Sequence, residues 1–195
     1  MRTKVAVFFG GRSTEHEISV ISANQAMAAI DKEKYEVIPV YISKQGHWYT
    51  GELLTDVKNY KDIPSLLKQC TEVYMRPVFG DFNLYKANAG LFSSKAPVAT
   101  VDVAIPVLHG SNGEDGTFEG VLETIGQPYA GCNTLASANG MDKITMKMIL
   151  ASDGIPVVDY VWFTDKQWFS KRDRFLSDIE TRLGYPVVVK PAKLG

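Results

Sequence analysis

This sequence has no excess of charge of either sign. Lysine and arginine number 21, aspartate and glutamate 22, and the formal net charge is −1. Without a basic stripe or face, nucleic acid is excluded as the expected partner. Cysteine is scarce: Cys70 and Cys132 are far apart and outside any C-x-x-C spacing, which argues against a disulfide framework and a thiolate zinc site. The three histidines, His16, His47 and His109, are dispersed, and Glu15-His16-Glu17 lacks the H-E-x-x-H spacing that sets two imidazoles on one helical face. No metal site is expected from these residues. Long apolar runs are missing too: the longest, such as Val5 to Phe9, are strand-length, short of the roughly 18 residues a membrane-spanning helix needs. The first residues lead into a strand without a signal-peptide core. Together these absences imply a cytoplasmic protein with no membrane partner.

What is present reads as α/β. At 195 residues and 45% hydrophobic, the chain suffices for one large or two small domains. Lys4 to Phe9 is an expected strand, Gly10 to Thr14 a turn, and Glu15 to Ile30 a helix. Its apolar positions Ile18, Ile21, Ala26, Met27 and Ile30 recur at helical intervals, and Ser13 or Thr14 is available as a cap. Glu36 to Ile42 completes a βαβ unit, which requires a parallel pair and describes half of a doubly wound parallel sheet. Gly46 to Gly51 reads as a hairpin arm and Pro64 to Cys70 as a short helix. From Thr71 to Ala99, Tyr74, Phe79, Phe82, Tyr85 and Phe92 mix with Gly80 and Gly90, which suits short strands or a packed loop. Val101 to Leu108 is a core strand, and helical spacing follows from Thr117 to Ile125. A boundary is expected near 138, dividing 1–138 from 139–195. The second part reads as a helix over Asp142 to Ser152, a strand over Val158 to Phe163, a helix from Thr164 or Asp165 to about Leu183, and a strand Val187-Val188-Val189 closed by Lys190.

The densest chemistry lies in Val107-Leu108-His109-Gly110-Ser111-Asn112-Gly113-Glu114-Asp115-Gly116. A strand, a glycine-rich loop and a helix in that order place His109 at the carboxyl edge of the sheet, where open α/β proteins bind ligands. His109 there either meets an anion or is a hydrogen-bonded structural histidine; the glycines and acids beside it favour the first. Glu114 and Asp115 read better as carboxylates stabilising the amide end of the following helix than as an acid/base pair. In Gly10-Gly11-Arg12-Ser13-Thr14-Glu15 the third glycine of a dinucleotide fingerprint is missing, and Ser43 stands where such a site wants an acid after the second strand. Glu15 either holds an ammonium group or simply favours a helix N-terminus. Lys143 and Lys190 are cations suited to a polyphosphate or surface charges, and no Walker A loop accompanies them.

Several motifs follow one another along the whole chain. They are Phe8-Phe9-Gly10-Gly11-x-Ser13-x-Glu15-His16-Glu17-Ile18-Ser19, Leu108-His109-Gly110-x-x-Gly113-Glu114-Asp115-Gly116, Tyr129-x-Gly131-x-x-x-x-Ala136-Ser137-x-x-x-Met141-Asp142-Lys143 and Val189-Lys190-Pro191. In that order they resemble the D-alanine–D-alanine ligases of the ATP-grasp superfamily. The resemblance implies a pre-ATP-grasp domain over 1–138 followed by the beginning of an ATP-grasp domain over 139–195. It implies ATP-dependent joining of two D-alanines through an acyl phosphate for peptidoglycan. It places Glu15 on the ammonium of the first D-alanine, His109 beside its carboxylate, and Lys143 and Lys190 on the ATP phosphates. It further implies a homodimer formed through the N-terminal domain, and magnesium whose ligands lie outside these residues. In the family a glycine- and serine-rich phosphate loop follows the Lys-Pro segment. Gly195 would be its first glycine, so a partial chain unable to turn over ATP alone is expected. The alternatives are a ligase joining D-alanine to D-serine or D-lactate, and a non-catalytic binding or dimerisation module.

Overall fold

Val5-Ala6-Val7-Phe8-Phe9 contains no polar position. In the computed structural model, which describes residues 2–88 and 96–193, it is a strand buried on both faces. Gly90, Phe92 and Gly195, named above, lie outside the described residues. The strand is β1 (Thr3–Gly10), flanked by β2 (Tyr35–Ile42) and β7 (Val103–Leu108), both parallel to it. Ala6 and Phe8 face one core with Phe118 and Leu122, whereas Val5, Val7 and Phe9 face the other with Val20, Ala23 and Met27. The alternation is the two-residue period of a strand, with a helix on each side. Helix α1 (His16–Ala29) covers the second face and α3 (Thr117–Ile125) the first.

Beyond β2 the sheet changes direction. β3 (Trp48–Thr50), β4 (Thr71–Met75), β5 (Asn83–Lys86) and β6 (Ala99–Thr100) extend it antiparallel, giving the order β6-β5-β4-β3-β2-β1-β7. The α/β class stands, with parallel pairing in β2-β1-β7 and at an isolated bridge from Ala104 to Tyr129, and the sheet as a whole mixed. Two short 3-10 turns, Glu52–Thr55 and Val57–Lys61, and helix α2 (Ile63–Leu67) carry the chain from β3 to β4. The aromatic-rich segment contains short strands, as its composition predicts.

Two details of α1 differ from expectation. Ile18 and Ile21 are 55% and 46% exposed, and the buried stripe is His16, Ser19, Val20, Ala23 and Met27. Polar His16 and Ser19 face inward because the strand ends beside them offer hydrogen-bond partners. Neither Ser13 nor Thr14 caps the helix: Glu15 is the N-cap residue and makes no side-chain capping bond, while the Ser13 hydroxyl accepts from the Glu15 amide at 3.2 Å.

The chain divides into two compact units, Met1–Ala138 and Asn139–Gly195, and the division falls within α4 (Thr134–Met141). In the second unit, α5 (Lys143–Ser152) starts at Asp142, whose carboxylate accepts from the amides of Ile144 and Thr145 at 3.0 and 2.9 Å. Helix α6 (Asp165–Arg182) starts with a reciprocal Thr164–Gln167 capping box. Phe163 stacks on Trp168 at 4.8 Å and meets Phe175 at 5.0 Å. The strands expected at Val158 to Phe163 and Val187 to Val189 are absent: neither segment pairs with a neighbour among the described residues. A strand needs a ladder partner, and without one Val158, Val188 and Val189 stand 80%, 82% and 84% exposed.

Candidate functional site

The three parallel strands end level with one another, because Gly10 of β1 is in register with Ile42 of β2 and with Leu108 of β7. The Gly10-Gly11 turn and the His109-Gly110 loop are thereby neighbours at the carboxyl edge. Only glycine fits at position 10: its φ is +90° and a Cβ would collide with the Ile42 carbonyl oxygen. Two polar residues of α1 fasten this edge from below. Ser19, fully buried, accepts from the Gly10 amide at 2.8 Å and donates to the Val107 carbonyl at 2.5 Å. His16, 1% exposed, presents Nδ1 to the Gly11 carbonyl at 2.7 Å and Nε2 to the Tyr41 hydroxyl at 3.0 Å. A carbonyl only accepts, so Nδ1 carries the hydrogen. Burial pushes the Tyr41 phenol up to about 12, which keeps its O–H intact.

On that base the structure brings Glu15 and the His109 loop together. Gly110 has φ +71°, and a Cβ there would stand 2.9 Å from Glu15 Oε2. The Glu15 carboxylate, uncommitted to capping, lies against the Gly110 backbone. His109 has a polar neighbour at each ring nitrogen: Nε2 is 3.1 Å from Ser22 Oγ, and Nδ1 is a longer 3.5 Å from Glu114 Oε1. Glu15, Ile18 and Ser22 are spaced i, i+3, i+7 and so share one face of α1. A carboxylate, an apolar surface, a hydroxyl and an imidazole thus line one edge, the donor and acceptor set that a small zwitterion requires.

Glu114 and Asp115 lie in the loop before α3 and organise it. The Gly110 amide donates to Glu114 Oε2 at 2.8 Å, and Asp115 accepts from the amides of Asn112 and Thr117 at 2.9 and 3.0 Å. Burial opposes the charged form of Asp115, yet the Thr117 hydroxyl and the surrounding amides outweigh it and hold this carboxyl below the usual range. The role expected for these acids at the amide end of the following helix is met by Asp115 through the Thr117 amide, whereas Glu114 turns back to the Gly110 amide and toward His109. Sequence reasoning missed Ser22, Ile18 as an exposed residue, and the buried pair His16 and Ser19. For Ser22 a signal was available as spacing, since it follows Glu15 by two helical turns and so falls on the same face.

Lys143 and Lys190 belong to the second unit. Lys143 opens α5, and its backbone amide donates to the Ala192 carbonyl at 2.9 Å, which brings the segment carrying Lys190 back toward the start of that helix. Lys190 is exposed in an irregular segment rather than at a strand end. The amide end of α5 is already served by Asp142, whose carboxyl is held low chiefly by the Thr145 amide. Among the described residues no group of three or more histidine, cysteine, aspartate or glutamate side chains is arranged to hold a metal ion, and no helix is long and apolar enough to cross a membrane.

A D-alanine–D-alanine ligase from Thermosipho melanesiensis is 42% identical over 191 residues, covering 98% of this chain and 50% of the relative. Among solved structures, the VanG D-Ala:D-Ser ligase from Enterococcus faecalis superposes with a TM-score of 0.77 at 33% identity, covering 100% of this chain and 53% of that one. The D-alanine–D-alanine ligase from Bacillus anthracis complexed with ATP gives 0.58 at 29% identity, covering 98% and 48%. The chain spans about half the length of the curated relatives it matches. Residues 4–132 match the family model for the D-alanine–D-alanine ligase N-terminus and residues 149–195 the model for its C-terminus. With both models matched in order along the sequence, the chain belongs to the D-alanine–D-alanine ligase family.

Proposed function

We propose that this chain supplies the first-substrate side of an ATP-dependent ligase that joins two D-alanines for peptidoglycan synthesis in the cytoplasm. The observation that carries the proposal is the convergence of Glu15, free of any capping bond, with the His109 loop at the end of the parallel strands. In this reading Glu15 binds the ammonium of the first D-alanine and His109 stands beside its carboxylate. That carboxylate attacks the γ-phosphorus of ATP, releasing ADP and forming an acyl phosphate. The amine of the second D-alanine attacks the acyl carbon, the tetrahedral intermediate collapses, and inorganic phosphate leaves. Lys143 and Lys190 bind the ATP phosphates, where fixed cations offset the charge that develops on phosphoryl oxygens. Residues 1–138 act as the pre-ATP-grasp domain and 139–195 as the first part of the ATP-grasp domain, in a homodimer.

The described residues offer magnesium no carboxylate cluster. For this chain, which spans about half the length of its relatives, D-alanine-dependent phosphate release from ATP is expected to be absent. A second reading, D-serine as the second substrate, draws on the 33% identity to a D-Ala:D-Ser ligase, lower than the 42% to a D-alanine–D-alanine ligase, and leaves the first site unchanged. Titration calorimetry on the 195-residue chain tests the proposal. D-alanine is expected to bind, and Glu15→Gln to weaken that binding more than about tenfold, as loss of a charge-assisted contact implies. Binding of neither D-alanine nor ATP by a stable dimer would instead favour a non-catalytic dimerisation module.

A further inference from the structure

Ser22 occupies a half-buried position of α1 where alanine would serve the helix better, since serine competes for backbone hydrogen bonds and has lower helix propensity. Its hydroxyl lies 3.1 Å from His109 Nε2. The other ring nitrogen has only Glu114 Oε1 at 3.5 Å, beyond good hydrogen-bond length. Glu114 is moreover engaged through Oε2 by the Gly110 amide at 2.8 Å. The Ser22 contact is therefore the shorter and better of the two that orient the imidazole. One turn earlier Ser19 already ties α1 to the Val107 carbonyl, so the helix is fixed against β7 and the Ser22 hydroxyl is delivered from a rigid support.

The chemistry of the pair is specific. Glu114, as a carboxylate, only accepts, which favours hydrogen on Nδ1 and leaves Nε2 as the acceptor. A serine hydroxyl donates to that lone pair, and when the ring is protonated it accepts from Nε2–H instead. Ser22 thus holds the ring in either charge state, which a purely donating or purely accepting partner does not.

We propose that Ser22 is a positioning residue that locks His109 in one rotamer and one tautomer beside Glu15 and Gly110, so that the imidazole is preorganised for an amino-acid carboxylate. The inference rests on the amino-acid reading of this edge but is tested independently of it. With three histidines in the chain, imidazole nitrogen-15 NMR resolves each ring, and His109→Gln assigns the signal. The unsubstituted chain is expected to show His109 as a single tautomer with hydrogen on Nδ1. Ser22→Ala is expected to average the two nitrogen signals and to weaken D-alanine binding by roughly five- to tenfold, the worth of one hydrogen bond. Ser22→Thr, which keeps the hydroxyl, is expected to restore both. Thermal melting recorded alongside is expected to be unchanged or raised in Ser22→Ala, as a better helix former predicts.

Unchanged ring signals in Ser22→Ala would overturn the proposal, as would a released ring with undiminished D-alanine affinity. If D-alanine binds none of the chains while the ring signals still respond to Ser22, the amino-acid reading falls, and with it the ligand the ring was positioned for. The ring lock itself is then upheld.

Discussion

The first unit buries its apolar strand residues, whereas the second unit leaves an apolar run of valines in solvent. Val7, Phe8 and Phe9 are completely inaccessible, whereas Val188 and Val189 are 82% and 84% exposed. Apolar content does not separate them. Val5 to Phe9 has a hydrogen-bonded neighbour on each side and a helix against each face, while Val187 to Val189 has no ladder partner among the described residues. Hydrophobic patterning nominates a strand, and pairing makes one.

Substitution at matched positions is the most forceful way to break this comparison. Phe8→Ala removes a ring that packs edge-on against Trp48 at 5.5 Å and against Phe118 at 5.0 Å. Urea unfolding is expected to show a loss of about 3–5 kcal/mol, and Val189→Ala a change within about 0.5 kcal/mol. A Val189→Ala loss comparable to that of Phe8→Ala would mean that the second segment is paired after all.

A smaller effect probes the junction of strand edge and site. Gly110→Ala places a Cβ in the left-handed region and 2.9 Å from Glu15 Oε2. About 1–2 kcal/mol of stability is expected to be lost, with weakened D-alanine binding in the same titration. Unaltered binding would separate the glycine from the site.

The smallest effect concerns the second unit, whose helices depend on caps more than on a core. Asp142 has its folded pKa lowered, first by the Thr145 amide, so its contribution is fully present above the ordinary aspartate range and is lost as pH falls through the lowered value. Circular dichroism is expected to show helicity declining in acid over that window, and Asp142→Asn to flatten the dependence. An unchanged acid profile in the variant would assign the decline to other carboxylates.

The elements that were legible in the sequence are those whose signal is local. The β1–α1–β2 unit, the His109 strand and loop, and the Thr164 capping box all follow from spacing and cap chemistry within about a turn or a strand length. The orientation of α1 was not legible, because its apolar positions Ile18 and Ile21 suit an inward stripe. Polar His16 and Ser19 took that stripe because the ends of β1, β2 and β7 offer carbonyls, an amide and a hydroxyl there. The antiparallel extension was likewise hidden, since short strands do not declare which neighbour they will pair with.

Within the site, residue types and order alone identified Glu15 and His109 as groups of interest, because charge beside glycine at a strand end is a local pattern. Only the tertiary structure decided that they meet, that Glu15 is not spent on capping, and that Glu114 and Ser22 flank the ring. The reason is geometric: α1 and the β7 loop are far apart in the chain, as the separation of 87 between Ser22 and His109 records. Their contact is set by strand register, which no local spacing encodes.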